Sequence, residues 1–300
     1  MSSTVINVTM GNPMYCARAG AGPRVLCLHS TASSSRQYRD LMDRLASRFC
    51  VIAPDFYGHG QSPAWDAARR FTLADEAAPI DALLADASPA YLVGHSYGAA
   101  VALRVAAANR TRIRAMVLYE PAIWGTLAHL CPDEAATREI ETLRDDTICL
   151  IEADRIDAAA ERFIDYWSGA GSWSAIPADR RPKLLATMGA LRHGWIATFS
   201  DRWTAEALRA LDIPCLLLTG TASTRAARRA LRLLGDTLPR SNVIELDGLG
   251  HLGPITHPER VIDPIETFLQ QMSEPAFASD SIRRSERLSS HCHPNPSPVR

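Results

Sequence analysis

The chain has 300 residues, 47% of them hydrophobic and 22% charged, which is enough apolar material for a buried core. A formal net charge of −1 gives no electrostatic ground for a nucleic-acid or anionic-membrane partner, and no apolar run is long enough to span a bilayer. Residues 1 to 10 lack the basic region followed by an apolar stretch that marks a secretory signal, so a cytoplasmic protein is expected.

Taken in chain order, residues 4 to 10 and 14 to 19 flank Gly11-Asn12-Pro13 and suggest an antiparallel lead-in hairpin. The short apolar run Val25 to Leu28 reads as a strand ending in His29-Ser30-Thr31. Ser34 to Ser47 reads as a helix, with Tyr38, Leu41, Met42 and Leu45 at helical spacing. Cys50 to Ala53 is a second buried-strand pattern and leads to Asp55. Thr72 to Ala87 is helical in composition, with Thr72 and Asp75 forming a capping box and Pro79 a source of a kink.

Ala90 to Val93 is apolar and β-prone, and Ala99 to Ala108 is rich in helix formers. Between them stands Gly94-His95-Ser96-Tyr97-Gly98, a G-x-S-x-G motif at a strand-to-helix turn. Ala115 to Tyr119 is a further strand, ending in Glu120. From Glu120 to Pro214 the strand rhythm stops, and this stretch holds Trp124, Trp167, Trp173, Trp195 and Trp203, five of the six tryptophans. A helical cap over the site is expected there. Strands resume at Cys215 to Thr219, before Gly220, and at Val243 to Leu246, before Gly248 to His251; Pro258 to Gln271 closes the pattern as a helix. After that the sequence is polar, proline-rich and without periodicity, as in a disordered tail.

Strands of continuous apolar residues separated by helices predict an α/β fold with a mostly parallel, doubly wound sheet, its strands buried on both faces. The expected division is 1–122 and 211–272 for the core, 123–210 for the cap and 273–300 for the tail. Ligands in such folds bind beyond the carboxyl ends of the strands, where the chemistry-bearing residues above converge.

A serine hydroxyl at that turn is pushed above the sheet edge, which makes Ser96 the candidate nucleophile. Of nine histidines, His251 is best placed as base, on a glycine-bearing loop just past the last strand. His29 and His95 read as packing residues, His59 as part of the turn Gly58-His59-Gly60, and His257 as a helix-entry residue. The histidine needs a carboxylate partner. Gly220-Thr221-Ala222-Ser223 carries none, and Ser223 and Thr224 cannot offset an imidazolium charge. Glu120, at the end of the preceding strand, is the preferred acid, with Pro121 expected to hold its backbone extended. Asp247 is the alternative, and Asp55 is expected to brace the Gly58-His59-Gly60 turn. On this reading Glu120→Gln depresses turnover strongly and Ser223→Ala hardly at all. The N–H groups of Tyr97 and Thr31 are the candidate oxyanion donors.

The seven cysteines, at 16, 27, 50, 131, 149, 215 and 292, show neither a disulfide framework nor metal-ligand spacing, and His291-Cys292-His293 reads as inert. No metal or cofactor is expected, and the partner is a small-molecule substrate, with monomer and homodimer both open.

Leu28-His29-Ser30, the segment from Ala53 to Ser62 (Ala-Pro-Asp-Phe-Tyr-Gly-His-Gly-Gln-Ser), the Ser96 motif and Gly250-His251 together resemble the landmarks of the α/β-hydrolase superfamily. The resemblance covers about residues 20 to 270. The family's usual His-Gly is His29-Ser30 here, and its usual acid after the penultimate strand is missing. Placing the acid at Glu120 is similar to the haloalkane dehalogenase branch, although those enzymes and the related epoxide hydrolases use an aspartate nucleophile where Ser96 stands. The carbon–carbon bond hydrolases are a partial match, since Leu252 stands where they commonly carry tryptophan. The resemblance implies a serine hydrolase, and a cap with aromatic walls implies a small or medium, largely apolar ester, lactone or related carbonyl compound as its substrate. Acyl transfer, cofactor-free haloperoxidase chemistry, carbon–carbon bond hydrolysis and a non-catalytic ligand receptor are the alternatives.

Overall fold

The computed structural model describes residues 2–6, 14–66, 68–84 and 89–274. Its strands are β1 (Ser2–Ile6), β2 (Met14–Ala19), β3 (Arg24–Leu28), β4 (Cys50–Pro54), β5 (Ala90–His95), β6 (Ile113–Tyr119), β7 (Cys215–Gly220) and β8 (Ser241–Leu246). They form one sheet in the order β1-β2-β4-β3-β5-β6-β7-β8. β1 and β2 pair antiparallel, as does β2 with β4, and every other pair is parallel. The mostly parallel α/β sheet read from the sequence is therefore present, with an antiparallel pair at one edge. The turn proposed around Gly11-Asn12-Pro13 lies outside the described residues.

Alternation along the parallel strands explains why they are apolar without interruption. Leu26, Leu28, Leu92, Leu118 and Leu217 point to one face, where they pack with Val101, Leu103 and Val105 of α3 (Tyr97–Ala108). Val25, Cys27, Val51, Val93, Val117 and Leu218 point to the other, against Leu41 and Leu45 of α1 (Arg39–Leu45) and Ile262, Ile265 and Leu269 of α13 (Pro258–Ser273). β8 departs from this. Among the described residues it has only β7 as neighbour and is half exposed along its length, with Val243 41% exposed, so burial on both faces does not extend to the sheet edge.

The first predicted helix begins as a 3-10 turn at Ser35–Tyr38 before α1. In α2 (Leu73–Leu83) the capping box forms: the Thr72 hydroxyl accepts from Asp75 N–H, and the Asp75 carboxylate accepts from Thr72 N–H at 2.9 Å. Pro79 lies inside α2 and offers no N–H to the carbonyl one turn back. Residues 85–87, the end of that predicted helix, are outside the described set. α13 reaches Ser273, so the first residue assigned to the tail is helical; residues 275–300 are not described.

Between β6 and β7 the chain is helical: α4 (Trp124–Leu130), α5 (Ala135–Glu152), α6 (Ile156–Ser168), α7 (Ser172–Ala175), α8 (Arg181–Leu185), α9 (Met188–Ser200) and α10 (Ala205–Arg209). After β7 come α11 (Arg225–Thr237) and, beyond β8, α12 (Gly253–Thr256). Among the described residues no helix is long and apolar enough to cross a membrane.

Candidate active site

The turn from β5 into α3 is sharp enough to leave Ser96 in a backbone conformation that side chains rarely adopt, φ 54° and ψ −114°. Its N–H donates to the Tyr119 carbonyl, and its carbonyl accepts from Ala99, Ala100 and Ala122. The two motif glycines permit the close approach: a Cβ on Gly94 would stand 2.6 Å from the Ala99 Cα, and one on Gly98 would run into the Leu28 carbonyl.

Ser96 Oγ lies 3.0 Å from His251 Nε2, and His251 Nδ1 lies 2.6 Å from Glu120 Oε2. All three side chains are buried. Since a carboxylate only accepts, the imidazole proton sits on Nδ1 and leaves the Nε2 lone pair facing the serine hydroxyl. Glu120 accepts three further hydrogen bonds, from the Thr219 hydroxyl (2.7 Å) and Gly220 N–H (2.9 Å) on Oε1 and from the Ser223 hydroxyl (2.7 Å) on Oε2. Burial pushes this carboxyl up, but the His251 hydrogen bond and charge, with Ser223 and Gly220, together outweigh it and hold the group below its ordinary value. Glu120 is thus a buried anion with every acceptor direction used.

The backbone at Glu120 corrects the sequence expectation. Instead of the extended conformation expected before Pro121, φ is 44°, in the left-handed region. Its N–H is held by Leu218 and its carboxylate by four donors, and these contacts offset the local strain. Asp247, the alternative acid, is exposed and accepts from the Thr221 hydroxyl. Asp55 braces the neighbouring turn as expected, accepting from Ser35 and Gln61 N–H groups.

The remaining histidines organise backbone around this line. His95 lies 2.9 Å from the His251 carbonyl through Nε2 and 3.1 Å from the Gln37 amide nitrogen through Nδ1. Gln37 also accepts from Ser30 N–H and its hydroxyl, so the loop after β3 is tied to the His251 loop. His59 Nε2 accepts from Ala32 N–H, beside Thr31, and His29 Nε2 accepts from Phe56 N–H. Burial takes His59 down to about 4 and His29 to about 3, so both rings are neutral acceptors at ordinary pH. His257 contacts Thr256 on the surface.

Thr31, Ser96 and Tyr97 share one small cavity, roofed by Trp124, Phe163, Trp167, Leu191, Trp195 and Thr198 of the helices between β6 and β7. Three of the five tryptophans of that stretch therefore line the site. Tyr97 N–H, in the first turn of α3, has no intrahelical acceptor and is free for an anion. The Trp167 ring stacks on His251 with centroids 3.9 Å apart and planes 27° from parallel, which fixes the orientation of the imidazole. The indole N–H groups of Trp167 and Trp195 are buried without a hydrogen-bond partner. Both residues line the cavity at Ser96.

Sequence reasoning missed Ser223, Thr219, Gln37 and the Trp167 stacking. Ser223 stands in the stretch after β7, which carries no carboxylate, and its position there is the available signal. The others depend on packing that periodicity does not encode.

Beside the oxyanion candidates lies another buried carboxyl. Glu76, on α2, accepts from Tyr57 N–H at 3.1 Å and from the Tyr97 hydroxyl at 3.0 Å. Burial raises it to about 8 despite those donors, with Asp75 adding to the rise. Folded Glu76 therefore keeps a proton that the unfolded chain loses near the ordinary value of 4.5. Its contribution to stability is full below that value and fades as pH rises through about 8. Glu76→Gln, which mimics the protonated form, is expected to gain on the wild type by on the order of 4 kcal/mol between pH 5 and pH 9, at roughly 1.36 kcal/mol per unit. Urea midpoints at the two pH values check this; a constant difference would show that Glu76 is ionised in the fold.

A family model described as "Alpha/beta hydrolase family" matches residues 25–263. Lipase LipV of Mycobacterium tuberculosis is 28% identical over 270 residues, spanning 83% of this chain and 94% of that protein. The 2-(acetamidomethylene)succinate hydrolase of Mesorhizobium japonicum is 28% identical over 271 residues, 83% of this chain and 89% of its own. In fold, a thermophilic esterase from Thermogutta terrifontis superposes with a TM-score of 0.70 at 21% identity, covering 91% of this chain and all of that one. With a family match across most of its length and an α/β sheet to carry it, the chain belongs to the alpha/beta hydrolase family and is a hydrolase.

Proposed function

We propose that this hydrolase cleaves a small or medium, largely apolar ester, lactone or related carbonyl compound through an acyl-enzyme on Ser96. The observation that carries the reading is the unbroken hydrogen-bonded line from Ser96 Oγ through His251 to the Glu120 carboxylate. His251 Nε2 takes the hydroxyl proton as Oγ attacks the carbonyl carbon, and the carbonyl electron pair moves onto oxygen, facing the Thr31 and Tyr97 N–H groups. When the tetrahedral adduct collapses, the bond to the leaving oxygen breaks and that oxygen receives the proton from His251. Water then repeats the sequence on the acyl-enzyme, restoring Ser96 and releasing the acid. Glu120 keeps its charge throughout and stabilises the imidazolium.

The apolar roof and the two unpartnered indole donors support a substrate that is largely apolar yet carries oxygen acceptors. The helices between β6 and β7 act as the cap. The six described cysteines are all free, in keeping with a reducing cytoplasmic setting.

A fluorophosphonate probe tests the reading. The expected result is a single adduct on the peptide bearing Ser96, absent after Ser96→Ala. An adduct elsewhere, or none in the wild type, would move or remove the nucleophile. Product analysis with a competing alcohol distinguishes hydrolysis from acyl transfer.

A further inference from the structure

The cavity at Ser96 offers only about 20 Å³, room for about one water molecule. A second cavity of about 430 Å³ shares Thr31, Tyr97 and Gly194 with it. Space for the bulk of a substrate therefore lies past the oxyanion candidates rather than directly above the serine.

The second cavity has a defined chemistry. One wall is a run of rings, Tyr57 to Trp65 at 5.3 Å, Trp65 to Phe71 at 5.1 Å and Phe71 to His193 at 5.9 Å between centroids. The run ends at the face of α9 carrying Gly189, Ala190, His193 and Gly194, where the glycines and Ala190 keep the cavity open. A Cβ on Gly189 would meet no atom within 4 Å, and one on Gly194 would lie 3.7 Å from the Tyr97 ring, at the junction of the two cavities. The polar groups on the lining are neutral at ordinary pH: Glu76 raised by burial to about 8, His59 lowered to about 4, and His193 lowered by burial and Arg192. A charged group entering here would lose its hydration and find no counter-ion among the lining side chains; the Arg69 guanidinium lies over the Trp65 ring, 4.8 Å from its centroid.

Direction follows from proton transfer. The leaving oxygen has to face His251 Nε2 to receive its proton, and neither His251 nor Trp167 lines the second cavity. What enters it is the part of the substrate on the other side of the scissile bond.

We propose that the cavity bounded by Tyr57, Trp65, Phe71 and the Gly189–Gly194 face of α9 is the acyl subsite, taking an uncharged aromatic or alicyclic acyl group, with Gly194 the residue that sets how large a group passes. This rests on the acyl-enzyme reading of Ser96. It narrows the substrate from apolar esters in general to esters of uncharged arylalkanoic or cycloalkanoic acids.

The test compares p-nitrophenyl esters of acetic, phenylacetic and 4-carboxyphenylacetic acids. In the wild type, kcat/KM for the phenylacetate is expected to exceed that for the acetate by at least about 30-fold, and the 4-carboxy ester to lose most of that advantage. Gly194→Leu, at the junction, and Gly189→Leu, at the far wall, should each bring the phenylacetate-to-acetate ratio towards one, with melting temperature confirming the fold. Two variants at separate points keep the result independent of one misfolded protein. A wild-type ratio near one, or a ratio that neither variant moves, overturns the subsite while leaving the acyl-enzyme intact. If no ester is turned over and the fluorophosphonate leaves Ser96 unlabelled, the acyl-enzyme reading fails and takes the subsite with it.

Discussion

Glu120→Gln is expected to lower kcat by about 10⁴-fold while leaving the fold in place. Gly220 N–H can only donate, so an amide NH2 cannot face it, and it holds the glutamine oxygen where Oε1 now lies, 2.9 Å away. The NH2 then faces His251 Nδ1 and Ser223. Nδ1 must become the acceptor, the proton moves to Nε2, and the imidazole can no longer take the Ser96 proton. Steady-state kinetics on an activated ester check this, with the fluorophosphonate rate falling in parallel. Ser223→Ala removes one of four donors to the carboxylate and leaves its charge. It is expected to cost about tenfold, at roughly 1.5 kcal/mol for a hydrogen bond to a charged group, more than the sequence alone suggested. If Ser223→Ala proved the more damaging change, the carboxylate would not be the group that orients His251.

Gly98→Ala is expected to destabilise the protein by about 3 kcal/mol or more, a large effect for the addition of one methyl group. Alanine is the better helix former by roughly 1 kcal/mol, which favours the variant. Against that, the new Cβ runs into the Leu28 carbonyl and stands 2.6 Å from the His29 oxygen. Those atoms are backbone at the buried end of β3 and cannot rotate away, so relief requires α3 to move off the sheet and carry Ser96 with it. Gly189→Ala is the contrasting case. The same substitution in α9 meets nothing within 4 Å and should stabilise by up to about 1 kcal/mol. Chemical denaturation of the pair checks the sign of each; a neutral Gly98→Ala would show that the turn accommodates a side chain.

Much of this was legible in the sequence because it rests on local rules. The apolar runs at β3 to β7 had to be strands with two buried faces, and the motif around Ser96 needs a strand before it and a helix after it. Thr72 with Asp75 is a local pattern as well, and the capping box forms as read. What local rules carry less well is contact between distant segments. Glu120 is legible as the acid because the stretch after β7 carries no carboxylate, but its left-handed backbone depends on donors from β7 and the loop after it, about a hundred residues away. The edge position of β8 follows from strand order, which an apolar run does not specify. Trp167 could not be told from a core residue by spacing, since α6 buries one face whether or not that face meets His251.

The backbone clasp between β5 and β6 has a consequence for how the three polar groups move. Residue 96 donates to Tyr119 and accepts from Ala122, so the peptide bearing the serine is stitched to the peptides on both sides of Glu120. Two corners of the line are in effect one rigid body, while the third arrives on a separate loop, steadied by His95 and the Trp167 ring. A displacement of the helical roof that shifts Trp167 therefore reaches His251 first and the other two last.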